Sequence, residues 1–118
     1  MVRPKTIFID IDGTILHHYG DLSQQITKIP IVLDGVKEKF IEWDKKGYII
    51  ILTTGRKEAL RKITEKQIVD VGLFFDQLIM GCGGGERILI NDMKVDSDVF
   101  TASVYCPKRN NGIKMLDI

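Results

Sequence analysis

The sequence predicts a single α/β domain spanning residues 1–118, built on a mainly parallel central sheet. Three observations carry this reading. Short apolar runs with the composition of strands alternate with segments of helical period. One run, Tyr48-Ile49-Ile50-Ile51-Leu52, is apolar at every position, as in a central parallel strand covered by helices on both faces. Each run also ends in polar or acidic residues, which is how open α/β sheets present groups at the C-terminal ends of their strands.

Taken in order, Thr6-Ile7-Phe8-Ile9 is a β-branched and aromatic run closed by Asp10-Ile11-Asp12-Gly13-Thr14, whose Asp-Gly pair signals a turn. Residues 15–30 lack a clear period and read as a loop or small hairpin near the end of the first strand. Gly35–Lys46 reads as a helix with Asp34 as N-cap. Val36, Phe40 and Trp43 share one face, and Gly47 stands where a C-terminal glycine belongs. The second strand, Tyr48–Leu52, leads into a second helix over Lys57–Val71, with Leu60, Ile63, Ile68 and Val71 facing inward and Gly72 beyond. Asp76–Met80, Arg87–Ile90 and Phe100–Tyr105 are further strand candidates. The first two conflict, because only Gly81–Glu86 lies between them, while a parallel crossover takes about a dozen residues or more. Either Asp76–Met80 is an edge strand or one of the two is not a strand.

Composition narrows the function. Of 118 residues, 44% are hydrophobic and 28% charged, enough to bury a core. Seventeen Lys+Arg against sixteen Asp+Glu leave a formal charge of +1 with no basic block, which argues against a nucleic-acid or anionic-membrane grip. No apolar run approaches the length of a bilayer span, and the N-terminal residues show no signal-peptide pattern. Cys82 and Cys106 fit no zinc or disulfide framework, so a cytoplasmic setting is expected.

The chemistry should gather at the strand ends. Asp10 and Asp12 stand two apart in an extended segment, so both carboxyls can face one way. Thr53, Thr54, Gly55 and Arg56 follow the second strand, where a glycine lets backbone amides approach an anion at the start of the next helix. Asn91 and Asp92 follow the third apolar run. Converging carboxylates need a cation, and hard oxygen ligands suit Mg²⁺. His17 and His18 have no third or fourth ligand at recognisable spacing and read as solvated loop residues. Gly83-Gly84-Gly85 is followed by no Lys-Ser/Thr and reads as a flexible turn rather than a P-loop. Pro107–Gly112 reads as a polar turn.

These residues together resemble the haloacid dehalogenase (HAD) superfamily of phosphohydrolases. Ile9-Asp10-Ile11-Asp12-Gly13-Thr14 after an apolar strand is similar to its first motif, Ile49–Arg56 to its second, and Ile88–Asp92 with Asp96 to its fourth, in the same order along the chain. The resemblance implies a Rossmann-like three-layer sandwich and a Mg²⁺-dependent phosphomonoester phosphatase working through an aspartyl-phosphate. It makes Asp10 the nucleophile and Asp12 the acid–base. Asp10, the Asp12 main-chain carbonyl and Asp92 would be the Mg²⁺ ligands. Thr54 would hydrogen-bond the phosphate, with Thr53 as runner-up. The third motif departs: Cys82 stands where a lysine is expected, leaving Arg87, Lys57, Lys66 or Lys94 to supply positive charge. That departure motivates an alternative, a catalytically weak or inactive domain that binds phosphate or a partner. A receiver-type signalling domain phosphorylated on aspartate would share the acidic site, but the chain lacks five regular βα repeats.

Neither Thr14–Leu33 nor Gly81–Glu86 is long enough to form a cap domain, so the resemblance implies a capless form. The expected ligand is a phosphorylated small molecule or polymer. An open site of this kind calls for a large substrate or a neighbouring subunit in a homo-oligomer to cover it, with residues 15–30 as a short flap.

Overall fold

A computed structural model of the chain describes residues 3–93 and 101–118. Strand β1 is Thr6–Asp10, and the chain then passes through a tight turn and a short helix α1 (Leu22–Thr27). Helix α2 (Val36–Lys45), strand β2 (Ile49–Thr53), a 3₁₀ turn, helix α3 (Arg61–Asp70) and strand β3 (Gln77–Ile79) follow. The three strands form an all-parallel sheet in the order β1-β2-β3. Ile7 pairs with Ile50, Ile9 with Leu52 and Leu52 with Leu78. β2 is central because Ile50, Ile51 and Leu52 are apolar on both faces, and all three are buried.

A parallel sheet whose spatial order matches its chain order places both crossover helices on one face, since each crossover is right-handed. The core confirms it: Ile7, Ile9, Ile50, Leu52 and Leu78 cluster with Val36, Phe40 and Trp43 of α2 and Ile68 of α3. The alternate residues lie on the other face, where Phe8 is 53% exposed, Ile49 39% and Ile79 42%. Among the described residues helices α2 and α3 pack on the first face, and on the second Ile51 is buried while the side chains around it are open. None of the described helices is long and apolar enough to cross a membrane.

Some expectations change. The conflict around residues 76–90 resolves with β3 as a short edge strand. Arg87–Ile90 is irregular, with Ile88 76% and Ile90 90% exposed. The glycine-rich connection after β3 is too short for a parallel crossover, and among the described residues the apolar run pairs with no strand. Residues 101–105 are likewise irregular, and Phe100 lies outside the described residues. The 15–30 segment is a hairpin-like excursion closed by the Leu16–Val32 bridge, with α1 at its tip. Asp21 caps α1 by accepting from the Gln24 N–H at 2.8 Å, while Gln24 Nε2 donates back to Asp21 at 2.8 Å. At α2 the N-cap is Gly35 rather than Asp34, with no side-chain cap bond. Gly47 ends α2 at φ +74, as read from sequence.

The C-terminal segment is stitched to the start of α2. The Ile113 N–H donates to the Asp34 carbonyl at 2.9 Å, and Ile113 is fully buried in the core. Gly112, at φ +79, presses its Cα against the Asp34 backbone, leaving no space for a side chain. Gly112→Ala is expected to destabilise the fold by about 1–3 kcal/mol through backbone strain, with a correspondingly lower denaturant midpoint. An unchanged midpoint would mean the segment does not hold this position in solution.

Candidate functional site

Asp10 ends β1, and the parallel register sets it beside Thr53 at the end of β2. The chain then turns sharply: the Ile11 carbonyl accepts from the N–H groups of Thr14, Ile15 and Leu16 at 3.2, 2.9 and 3.0 Å. This turn folds the Thr14 hydroxyl back onto Asp10 Oδ2 at 3.3 Å. Burial raises the Asp10 pKa above its ordinary value, and the neighbouring Asp12 charge adds to the rise. The Thr14 hydrogen bond and the Arg87 charge act in the opposite direction.

Asp12 is held differently. Arg56 forks onto its carboxylate, Nε to Oδ2 at 2.8 Å and Nη2 to Oδ1 at 2.7 Å. The guanidinium is only 4% exposed, and its Nη1 also donates to Thr64 Oγ1 at 3.1 Å and Gln67 Oε1 at 2.7 Å. Thr64 and Gln67 are three apart on α3, which puts both on the face turned toward Asp12. Gln67 Nε2 in turn donates to the Gln25 carbonyl of α1 at 3.0 Å. The Gln25 side chain bridges the loop before it, accepting from the Tyr19 N–H at 2.9 Å and donating to the His17 carbonyl at 2.7 Å. One chain of hydrogen bonds thus joins Asp12 to the base of the 15–30 excursion.

The sequence places Arg56 among the residues expected to bind substrate; in the structure its guanidinium is turned to Asp12, Thr64 and Gln67. A guanidinium buried with its donors committed to Asp12, Thr64 and Gln67 is a positioning group for the Asp12 carboxyl. Thr54 is also turned inward: it is buried, and its hydroxyl accepts from the Arg56 N–H at 3.0 Å. Thr53 is the half-buried neighbour sharing a sheet face with Asp10. The exposed Gly55 lies against the loop after β3, which is fastened by Gly81 N–H to the Arg56 carbonyl at 2.7 Å and Cys82 N–H to the Thr54 carbonyl at 2.9 Å. That loop brings Arg87 to the site. Arg87 Nη1 donates to the Gly83 and Gly85 carbonyls at 3.0 and 3.2 Å, and its charge reaches the Asp10 carboxyl.

Asp92 is exposed at the end of the irregular 87–92 stretch, its main-chain carbonyl accepting from the Thr101 hydroxyl. Among the described residues no three His, Cys, Asp or Glu side chains gather into a metal cluster, so Asp92 does not join Asp10 and Asp12 there. Asp96, Asp98 and Lys94 lie outside the described residues. Lys66 is paired with Asp70 at 2.6 Å on the exposed side of α3.

The polar turn read at Pro107–Gly112 forms part of the site, though its partners were not legible in the sequence. The Asn110 N–H donates to the Gly13 carbonyl at 2.8 Å, and its side chain pairs with the His18 backbone in both directions at 2.7 and 3.2 Å. Gln25 and Gln67, polar yet buried, were equally hidden; the only local hint is a glutamine on the same face as the apolar Ile68.

No family model, curated protein or solved structure matches this chain.

Proposed function

We propose that the chain is a Mg²⁺-dependent phosphomonoester phosphatase of HAD-like design, acting through an aspartyl-phosphate. The observation that carries the reading is the pair of unlike carboxylates. Asp10 is half-buried with a raised pKa and the Thr14 hydroxyl on one oxygen, and two residues on Asp12 is clamped by a buried Arg56. Burial favours the protonated form of Asp10, so its proposed role as nucleophile rests on a bound cation holding it ionised. Asp12 would exchange its proton on the oxygen lone pairs that Arg56 leaves free.

In the proposed reaction an Asp10 oxygen attacks phosphorus, forming an acyl-phosphate bond as the bond to the leaving oxygen breaks. Asp12 donates a proton to that leaving oxygen, then takes one from the water that cleaves the acyl phosphate and frees Asp10. Arg56 keeps the Asp12 carboxyl in one orientation through both steps. Thr53 and Arg87 are the groups proposed to meet the phosphoryl oxygens, with Arg87 supplying the charge that Cys82 cannot.

The donor set fits a hard cation. Asp10 offers a carboxylate that Arg56 leaves free, and Asp12 its main-chain carbonyl, since both its carboxylate oxygens accept from Arg56. One carboxylate with waters and a substrate phosphate suffices for Mg²⁺. The Asp10 carboxylate and the Asp12 main-chain carbonyl would hold the ion. When bound, Mg²⁺ would screen the phosphate from the negative nucleophile.

The test is phosphate release from a panel of phosphomonoesters with Mg²⁺ or with chelator. Release that needs the metal is expected; release undiminished in chelator would sink the metal-dependent mechanism. A second reading is a domain that binds phosphate or a protein partner without multiple turnover. It is supported by the open sheet face carrying Phe8, Ile49 and Ile79, an apolar surface of the kind used for association, including self-association. Mg²⁺ and phosphate binding without release from any ester would favour it.

A further inference from the structure

The turn at 107–112 brings positive charge to the rim of the site from the far end of the chain. Its position is fixed on both sides. Asn110, at φ +63, is bonded to Gly13 and to the His18 backbone. Gly112 and Ile113 are fastened to Asp34. Between and beside these anchors, Lys108 and Arg109 are exposed, and neither has a carboxylate within ion-pair distance among the described residues. Arg109 crosses directly over Gly13: its Cγ and Nε lie 3.1 and 3.7 Å from where a Gly13 Cβ would stand. Gly13, at φ +91, admits the arginine stem because it has no side chain.

An arginine on a rigid backbone, with no carboxylate partner among the described residues, is suited to forked recognition of an anionic oxygen group. Its location says which anion. Gly13 follows Asp12, the residue that serves the leaving oxygen in the reading above, whereas the groups assigned to the phosphoryl oxygens stand on β2 and the loop after β3. Resting on that reading, we propose that Arg109 forms a subsite for a second anionic group on the leaving alcohol. The substrate class is then a phosphomonoester whose alcohol itself carries a carboxylate or a second phosphate. Such a substrate brings extra negative charge toward Asp10 and Asp12, and a cation at the rim offsets that repulsion.

Binding is measured calorimetrically in an Asp10→Asn background, which prevents turnover, with 3-phosphoglycerate against glycerol 3-phosphate and glucose 1,6-bisphosphate against glucose 6-phosphate. At least one doubly anionic probe is expected to bind about tenfold more tightly than its partner, with Arg109→Ala removing the preference and Arg109→Lys keeping part of it. The pair showing the larger preference identifies carboxylate or phosphate as the second group. No preference, or the same preference in Arg109→Ala, overturns the subsite. Equal weakening of every probe also overturns it, because Arg109 would then be serving the phosphoryl group. Phosphate release by the wild-type chain is followed separately. If release is absent while the Arg109-dependent preference persists, the hydrolase reading fails and the subsite stands.

Discussion

Asp10→Asn is expected to lower kcat/KM by at least about 10³-fold while leaving the chain folded. The fold should even gain. An acid whose pKa is raised in the folded state binds its proton more tightly there than in the unfolded chain, so ionising it costs stability. The stability that protonated Asp10 contributes is present at low pH and is lost as the pH rises through its raised folded value. Asparagine carries no charge at any pH and still accepts from Thr14, which removes that cost. In chelator at neutral pH the variant should therefore melt at or above the wild-type temperature, with the gap closing toward acid pH. If the proposed Mg²⁺ site exists, adding the ion should raise the wild-type melting temperature, because it would bind only the folded chain, and should raise that of the variant less. Persisting turnover in the variant would remove Asp10 as nucleophile. A clear drop in its melting temperature would instead assign the carboxylate a packing role.

The parts of this architecture legible in the sequence are those fixed by local pattern. Ile7-Phe8-Ile9 and Ile49–Leu52 read as strands, and the Val36, Phe40, Trp43 stripe read as the buried face of a helix; Ile7, Ile9, Ile50 and Leu52 join that stripe in the core, while Phe8 and Ile49 lie on the open face. Asp10, Asp12 and Thr53 were legible as strand-end groups because register places such ends side by side in a parallel sheet. What failed depended on tertiary geometry. Arg87–Ile90 has a strand's composition, yet a strand also needs a neighbour, and among the described residues it pairs with none. Arg56 read as an anion ligand because it follows Thr54-Gly55; only the packing of α3 shows that Thr64 and Gln67 hold it against Asp12. The turn around Asn110 was legible but its partner was not, since nothing near it in sequence announces Gly13. Local periodicity reports which face is buried. It carries no information about which distant loop a polar side chain will meet.

Arg56 offers the second large effect, and its two variants separate structure from chemistry. Arg56→Ala would leave the Asp12 carboxylate, Thr64 Oγ1 and Gln67 Oε1 without the donor they share in a buried pocket. Breaking one side of such a buried ion pair costs about 3–5 kcal/mol. A domain of this size is stable by only about 5–15 kcal/mol, so the alanine variant should show a much lower denaturant midpoint. Arg56→Lys keeps the charge and most of the stem but cannot reach both Asp12 oxygens and the α3 side chains together. It should fold and should lower kcat by on the order of tenfold or more, because the loosened carboxyl is the one that moves protons. If Arg56 contacted substrate phosphate, as its sequence context suggested, the lysine variant would instead raise KM with kcat nearly unchanged. The positioning role also predicts dependence on Asp12. In an Asp12→Asn background, Arg56→Lys should cost little further in kcat, since there is no longer a proton-transferring carboxyl to aim. Additive losses across that double-mutant cycle would show that the two residues act separately and would end the case for the clamp.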